Sequence, residues 1–267
     1  VENGGSVNNS IGSLGYSSGS DGTATVTGTG SSWSNTGNLD VGISGTGTLN
    51  IGHGGAVTVG LDLSFNSTST LDIILSSISD PLLDVGGNVT LNGSLNVDLA
   101  GGLALNEGDL FTLIDLTSLG GIRSGTFTGI GEGANVGNFD GLNLLISYIG
   151  GDGNDVTLSA TAIHWLPDVS GNWDSVANWT FADLPSAADI VYIDPAGGLT
   201  VTGPSGPQTV NNLTIGTKVS GVANLVQSSG QINVNNALTI EARGKLQVAS
   251  VVSAGAGIFN GGVITGQ

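Results

Sequence analysis

The feature that most constrains this chain is a run of short alternating segments broken by glycine corners. Thr23-Ala24-Thr25-Val26-Thr27, Gly47-Thr48-Leu49-Asn50-Ile51, Asn88-Val89-Thr90-Leu91, Ser94-Leu95-Asn96-Val97-Asp98-Leu99 and Leu238-Thr239-Ile240 each put Val, Leu or Ile on one side. Thr, Asn or Ser lie on the other side, which is the period-two signature of a half-buried strand. Gly, Asn, Asp and Ser interrupt the runs every few residues. No window carries helical spacing. The pattern apolar-x-x-Gly-Gly-x-apolar recurs at Val1–Val7, Ile51–Val57 and Ile258–Ile264. A repeated strand, corner and strand of this kind points to a repeat architecture.

Composition then selects among the all-β options of sandwich, barrel and solenoid. Glycine supplies 47 of 267 residues, and charged residues only 9 % against about 25 % in average usage. In a parallel β-helix successive rungs lie about 4.8 Å apart, so identical positions stack. Stacked like charges repel, whereas Asn, Ser and Thr can hydrogen-bond along the stack. The sequence therefore predicts an all-β parallel β-helix, or β-solenoid. With roughly 20–25 residues per rung it holds about 11–13 rungs and extends on the order of 50–60 Å. Neighbour-to-neighbour stacking, not one globular core, is the expected source of stability.

Four Lys+Arg against 21 Asp+Glu give a net charge of −17. So few cations cannot track a phosphate backbone or form a basic membrane patch. The expectation is no nucleic acid and no membrane insertion of this segment. Cysteine is absent, which excludes disulfides and thiolate metal sites. Methionine is absent too and residue 1 is Val, so a leader or longer upstream segment is expected.

Residues 15–60 carry the spaced elements Gly28-Thr29-Gly30-Ser31-Ser32-Trp33, Leu39-Asp40-Val41-Gly42, Gly45-Thr46-Gly47-Thr48-Leu49-Asn50-Ile51 and Gly54-Gly55-Ala56-Val57. They resemble the repeat of type V secretion (autotransporter) and PEP-CTERM-associated surface proteins. Residues 108–158, with Gly108-Asp109-Leu110-Phe111 and Ile146-Ser147-Tyr148, look like the segment that closes a passenger-type solenoid. Residues 165–215, with Gly171-Asn172-Trp173, Asn178-Trp179 and Asn212-Leu213-Thr214-Ile215-Gly216, resemble the opening of a second module. The resemblance implies a right-handed helix, possibly two stacked modules, and an extracellular or cell-surface location reached by bacterial-type secretion. The expected division is 1–60 as repeats, 61–160 as their continuation with a closing hairpin, and 161–267 as a second module with a Trp-rich opening cap.

Several motifs carry candidate chemistry. Gly150-Gly151-Asp152-Gly153-Asn154-Asp155 matches the opening of the calcium-binding Gly-Gly-x-Gly-x-Asp nonapeptide, making Asp152 and Asp155 candidate calcium ligands. A single copy reads first as a hairpin turn joining 144–149 to 155–159, because each calcium needs neighbouring copies. Gly15-Tyr16-Ser17-Ser18-Gly19 matches a nucleophile elbow, which has meaning only between a strand and a helix. His53 takes the slot of Asn3 and Asn260, and His164 precedes Trp165 at the module boundary; two lone histidines make no zinc site. Polysaccharide cleavage needs clustered carboxylates or a cationic base, and Arg123, Lys218, Arg243 and Lys245 are the only cations. Trp165, Trp173 and Trp179 crowd into one stretch. Exposed, Trp173 and Trp179 would stack on sugars; buried, they would cap a solenoid interior. Sequons at Asn8, Asn66, Asn88, Asn92, Asn178 and Asn212 are expected unmodified in a bacterial host.

The expected function is a structural surface or fibre solenoid that uses no cofactor and no catalysis. An adhesin module binding glycans or another surface is the alternative, and a polysaccharide-cleaving enzyme a third. Gln267 followed by Val1 reads as continuous repeat sequence, so rungs are expected to stack past both ends, in a longer chain or head to tail between copies.

Overall fold

A computed structural model describes residues 1–77, 82–118, 120–166, 169–217 and 219–266. Lys218 and Gln267 lie outside the described residues. The structure is all-β, a parallel β-solenoid of about ten turns. It divides into two compact units, Val1–Gly137 with Leu144–Ala160, and Asn138–Asn143 with Thr161–Gln267.

The first unit winds through three faces per turn. Its first face stacks Ser6–Asn9, Ser32–Asn35, Ala56–Val59, Leu83–Val85 and Leu110–Leu116. The second stacks Gly12–Leu14, Leu39–Val41, Leu63–Phe65, Val89–Leu91 and Arg123–Gly125. The third stacks Asp21–Thr27, Thr46–Gly52, Ser69–Leu75 and Ser94–Leu99. All neighbours in these stacks run parallel and in register, for example Leu49↔Leu71↔Leu95 and Leu39↔Leu63↔Val89. Identical side chains therefore lie in columns, and Val26, Leu39, Leu49, Leu63 and Leu71 are wholly buried. Each buried aliphatic side chain contributes roughly 1.5–3 kcal/mol against exposure, and the core is built from such increments.

Antiparallel strands follow the last parallel strands of this unit. Leu142–Gly150 and Asp155–Thr161 are sheet neighbours, and the latter pairs antiparallel with Leu110–Leu116. Gly151 (φ 55°) and Gly153 (φ 115°) make the link between them, backbone values that L side chains rarely adopt.

The second unit has the same plan. Its stacks are Ile163–His164, Ile190–Ile193, Asn212–Ile215, Ala237–Ile240 and Gly257–Asn260; Gly171–Asn172, Leu199–Thr202, Ala223–Gln227, Gly244–Val248 and Val263–Gly266; and Pro207–Val210, Gln231–Val234 and Val251–Ala254.

Two expectations are corrected. The count is about ten turns, not 11–13, because hydrogen-bonded partners on adjacent turns are 24–26 residues apart in the first unit. The closing hairpin and its lead-in consume a further stretch without adding a parallel rung. The third copy of the Gly-Gly corner is a coincidence of sequence. Asn3 (φ 56°) and His53 (φ 49°) share a left-handed conformation followed by Gly4 and Gly54, both at φ 76°. Neither Asn260 nor Gly261 takes a positive φ, and their corner joins different faces.

Candidate functional site

The chemistry-bearing side chains fall into two aromatic plugs, one carboxylate group, one histidine pair and two exposed strand edges. In the first unit, Phe127 packs between Phe65 (6.0 Å between centroids) and Tyr148 (6.4 Å). The buried Tyr148 hydroxyl donates to the Ile130 carbonyl at 2.9 Å and accepts from the Phe127 amide at 3.1 Å. Its ring lies 5.0 Å from the Arg123 guanidinium, whose Nε donates to the Tyr148 carbonyl at 2.8 Å. Burial pushes the phenol pKa up, beyond what the Phe127 amide and Arg123 lower it. Arg123 is thereby committed to the plug.

The second unit fills its first turn with tryptophan. Trp179 meets Trp165 at 4.9 Å and Trp173 at 4.8 Å, both edge-to-face, a favoured aromatic geometry. The 3-10 turns Val176–Asn178 and Thr180–Ala182 bracket Trp179, and an isolated antiparallel bridge ties it to Trp165. Trp165 Nε1 donates to Val169 O and Trp179 Nε1 to Trp173 O, each at 2.8 Å. Trp173 and Trp179 are 0 % and 1 % exposed and belong to the same buried cluster as Ile163, Val191 and Leu213. A covered ring face cannot stack on a sugar, so the expectation that these two tryptophans contact glycans is corrected, and they are core.

Asp152 and Asp155 end up in different environments. Asp152 is exposed in the turn. Asp155 is buried, and its Oδ1 accepts from the Leu116 amide at 2.9 Å. Asp84 and Asp115 are in-register neighbours on the first face. Burial raises the Asp115 pKa, and the charges of Asp155, Asp84 and Asp152 raise it further. Among the described residues no group of three or more His, Asp or Glu side chains is arranged to hold a metal ion.

Ser17, within the elbow-like motif, lies in a loop between the strands Gly12–Leu14 and Asp21–Thr27, with no helix following. His53 is an exposed corner residue. His164 is half-buried: its Nδ1 lies 2.9 Å from Asp194 Oδ1 and its ring stacks on Tyr192 at 5.0 Å. Sequence reasoning missed this pair because 30 residues separate the partners. The signal was the register His164↔Tyr192, which brings the start of one turn against the end of the next strand. Arg243 donates through Nη1 to the Val219 carbonyl, and Lys245 lies on the strand Gly244–Val248.

No family model, curated protein or solved structure matches the chain.

The exposed edges complete the inventory. One edge is formed by Ser6–Asn9, Gly12–Leu14 and Asp21–Thr27, with a concavity lined by Val1, Val7, Ile11, Val26 and Trp33. Val7 is 42 % and Ile11 66 % exposed. Inside it, Trp33 Nε1 donates to Asn9 Oδ1 at 2.6 Å, and Asn9 Nδ2 donates to Asn35 Oδ1 at 2.5 Å. The other edge is formed by Val251–Ala254, Gly257–Asn260 and Val263–Gly266, where Ile258 and Ile264 are 49 % and 41 % exposed. Val1 pairs with part of the first edge, its N donating to Thr25 O at 2.5 Å and its carbonyl accepting from Thr27 N at 2.9 Å; exposed apolar groups on a strand edge are templates for a further rung.

Proposed function

We propose that the chain is a stretch of structural β-solenoid in a secreted or cell-surface protein, acting by rung stacking and not by catalysis, and needing no metal. One observation supports this most. Polar side chains are paired with the next turn: Asn50 Nδ2 to Thr25 Oγ1 at 3.0 Å, Asn96 Nδ2 to Asp72 Oδ1 at 2.6 Å, Asn236 Nδ2 to Asn211 Oδ1 at 2.6 Å. Groups held in such ladders stiffen the stack. The resemblance to autotransporter and PEP-CTERM repeats supports the extracellular or surface location, with the exposed edges continued by further rungs. Digestion with a broad-specificity protease tests the reading, since four Lys+Arg leave trypsin few sites. The purified chain should survive as core fragments that retain whole turns. Cuts throughout the parallel strands at the rate of an unfolded chain would contradict it.

A second reading, an adhesin, rests on a different surface. The third face of the first unit points rows outward, Thr23↔Thr48↔Thr70↔Ser94 and Thr25↔Asn50↔Asp72↔Asn96. Regular hydroxyls and amides on a rigid sheet suit hydrogen bonding to a glycan. A glycan array with a Thr48→Val, Thr70→Val control decides it: signal lost in the control supports adhesion, and absent or unchanged signal removes it.

A further inference from the structure

Arg243 and Lys245 are cations that the fold leaves without a carboxylate. They stand two residues apart at the start of the strand Gly244–Val248 in the second unit. Asp and Glu outnumber Lys and Arg 21 to 4, so the lack of an ion pair is not forced by a shortage of partners. Among the described residues neither cation makes one. The Arg243 Nη1 donates to the Val219 carbonyl, which holds the guanidinium at the corner. The Lys245 ammonium has no hydrogen-bond partner among the described residues.

The register decides what lies around them. Thr200 pairs with Asn224 and Asn224 with Lys245, so the three form one outward column across successive turns. Ser170 extends it, its Oγ accepting from the Thr200 amide at 3.0 Å. Ala223 pairs with Gly244, which sets Arg243 beside Val222. Ser170, Leu199, Thr200, Val222, Asn224 and Lys245 line a concavity of about 540 Å³, within the ordinary range of small-ligand sites. No described carboxylate lines it. Glu241, two residues before Arg243, lays its carboxylate against Gly216 instead. Val222 is 47 % exposed and gives the concavity an apolar wall.

Asn224 is the least satisfied group there. Its Nδ2 makes only long contacts, 3.3 Å to Gln247 Oε1 and 3.5 Å to Thr200 Oγ1. Its Oδ1 is buried and has no donor, whereas buried amide oxygens normally have one. Turning this amide toward a ligand hydroxyl breaks no bond of the oxygen. An acceptor without a donor, two hydroxyls and two unpaired cations suit a ligand that brings hydroxyls and one negative charge.

We propose that this concavity binds a saccharide carrying a single carboxylate. The carboxylate sits between Lys245 and Arg243, and sugar hydroxyls bond to Asn224, Thr200 and Ser170. Guanidinium offers a planar fork that matches a carboxylate, and the lysine an adjustable point charge. The C–H face of the ring lies on Val222 and the Lys245 stem. The net charge of −17 repels a dense polyanion over a Debye length, about 8 Å at physiological salt. That selects a sparse carboxylate on an otherwise neutral glycan. The site lies on a different unit from the Thr and Asn rows of residues 23–96 and does not depend on them.

Calorimetric titration of the intact chain tests it, with cellobiouronic acid as ligand and cellobiose as its neutral counterpart. The two differ only in a carboxylate against a hydroxymethyl group. The acid should bind saturably at one site, and cellobiose at least about tenfold more weakly, the effect of losing a charge-assisted contact. Lys245→Gln should lose about tenfold in affinity at an unchanged urea midpoint, while Lys245→Arg keeps most of it. Arg243→Gln, measured separately, should lose a similar factor. The Thr48→Val, Thr70→Val chain should bind as the parent does, which separates this site from the first unit's rows. Acetate at the concentration where the disaccharide saturates should not compete. Equal affinity for the two disaccharides, binding of neither, full affinity in both Gln variants, or acetate competing as well as the sugar acid overturns the proposal.

Discussion

The first turn of the second unit and the edge strands of the first unit do the same topological job with opposite chemistry. Around Ile163–His164 and Gly171–Asn172 the interior is filled by Trp165, Trp173 and Trp179, all at most 1 % exposed. Around Ser6–Asn9 and Gly12–Leu14 the corresponding concavity holds one tryptophan, Trp33, with Val7 and Val26 beside the smaller Asn9, Gly12 and Ala24, and Ile11 is left 66 % exposed. A sealed turn and an open one therefore coexist in one chain. Three buried indoles fill one turn, whereas the other is lined by a single tryptophan and smaller groups. The difference assigns the filling of the first turn of the second unit to the tryptophans and leaves Ile11 exposed on the edge of the first.

Breaking the sealed side should give the largest effect. Trp173→Ala removes a fully buried indole and leaves a cavity, costing about 3–5 kcal/mol. Urea unfolding should show the second unit losing its transition midpoint while the first keeps its own. Equal loss in both units would contradict the division. At the other plug, Tyr148→Phe keeps the ring but leaves Phe127 N and Ile130 O without the hydroxyl, and should cost about 1–3 kcal/mol in the first unit, read by the same method.

Asp115 gives a smaller effect with a defined sign. Its folded-state pKa is raised by burial first and by Asp155, Asp84 and Asp152 after it, so the folded chain holds this proton more tightly than the unfolded chain. Stability contributed here is greatest below the ordinary carboxylate pKa and falls as pH rises through the raised folded value. Asp115→Asn should flatten that slope and stabilise the first unit at neutral pH by less than about 1 kcal/mol, solvent screening keeping it small. A variant less stable than the parent at pH 7 would show that the charge is compensated. Ile11→Ser on the open edge should change stability by no more than about 0.5 kcal/mol, since the side chain is exposed, read by the same urea titration.

The solenoid class was legible because columns of Leu and Val with intervening Thr and Asn leave a period-two trace, as in Gly47-Thr48-Leu49-Asn50-Ile51. The second compact unit, which also takes in Asn138–Asn143, resumes at Thr161, just before the tryptophan-rich sequence. Turn number was not, since residues 126–160 have strand composition whether they form rungs or the hairpin that closes the sheet. The Gly-Gly match at 261–262 misled for a related reason: Asn3 and His53 are defined by a left-handed backbone, and sequence shows only the glycines. Burial of Trp173 and Trp179 was open as well, because the same three tryptophans serve a ligand face or a plug, and only their mutual edge-to-face packing decides. The His164–Asp194 pair depends on register between turns, which local spacing does not encode.

Hydrogen exchange tests the contrast between sealed and open turns most directly. The amides of Ser6–Asn9 and Val251–Ala254 should exchange fast and those of Ile163–Trp165 slowly. A tryptophan-filled turn that exchanges as fast as the edges would contradict the account.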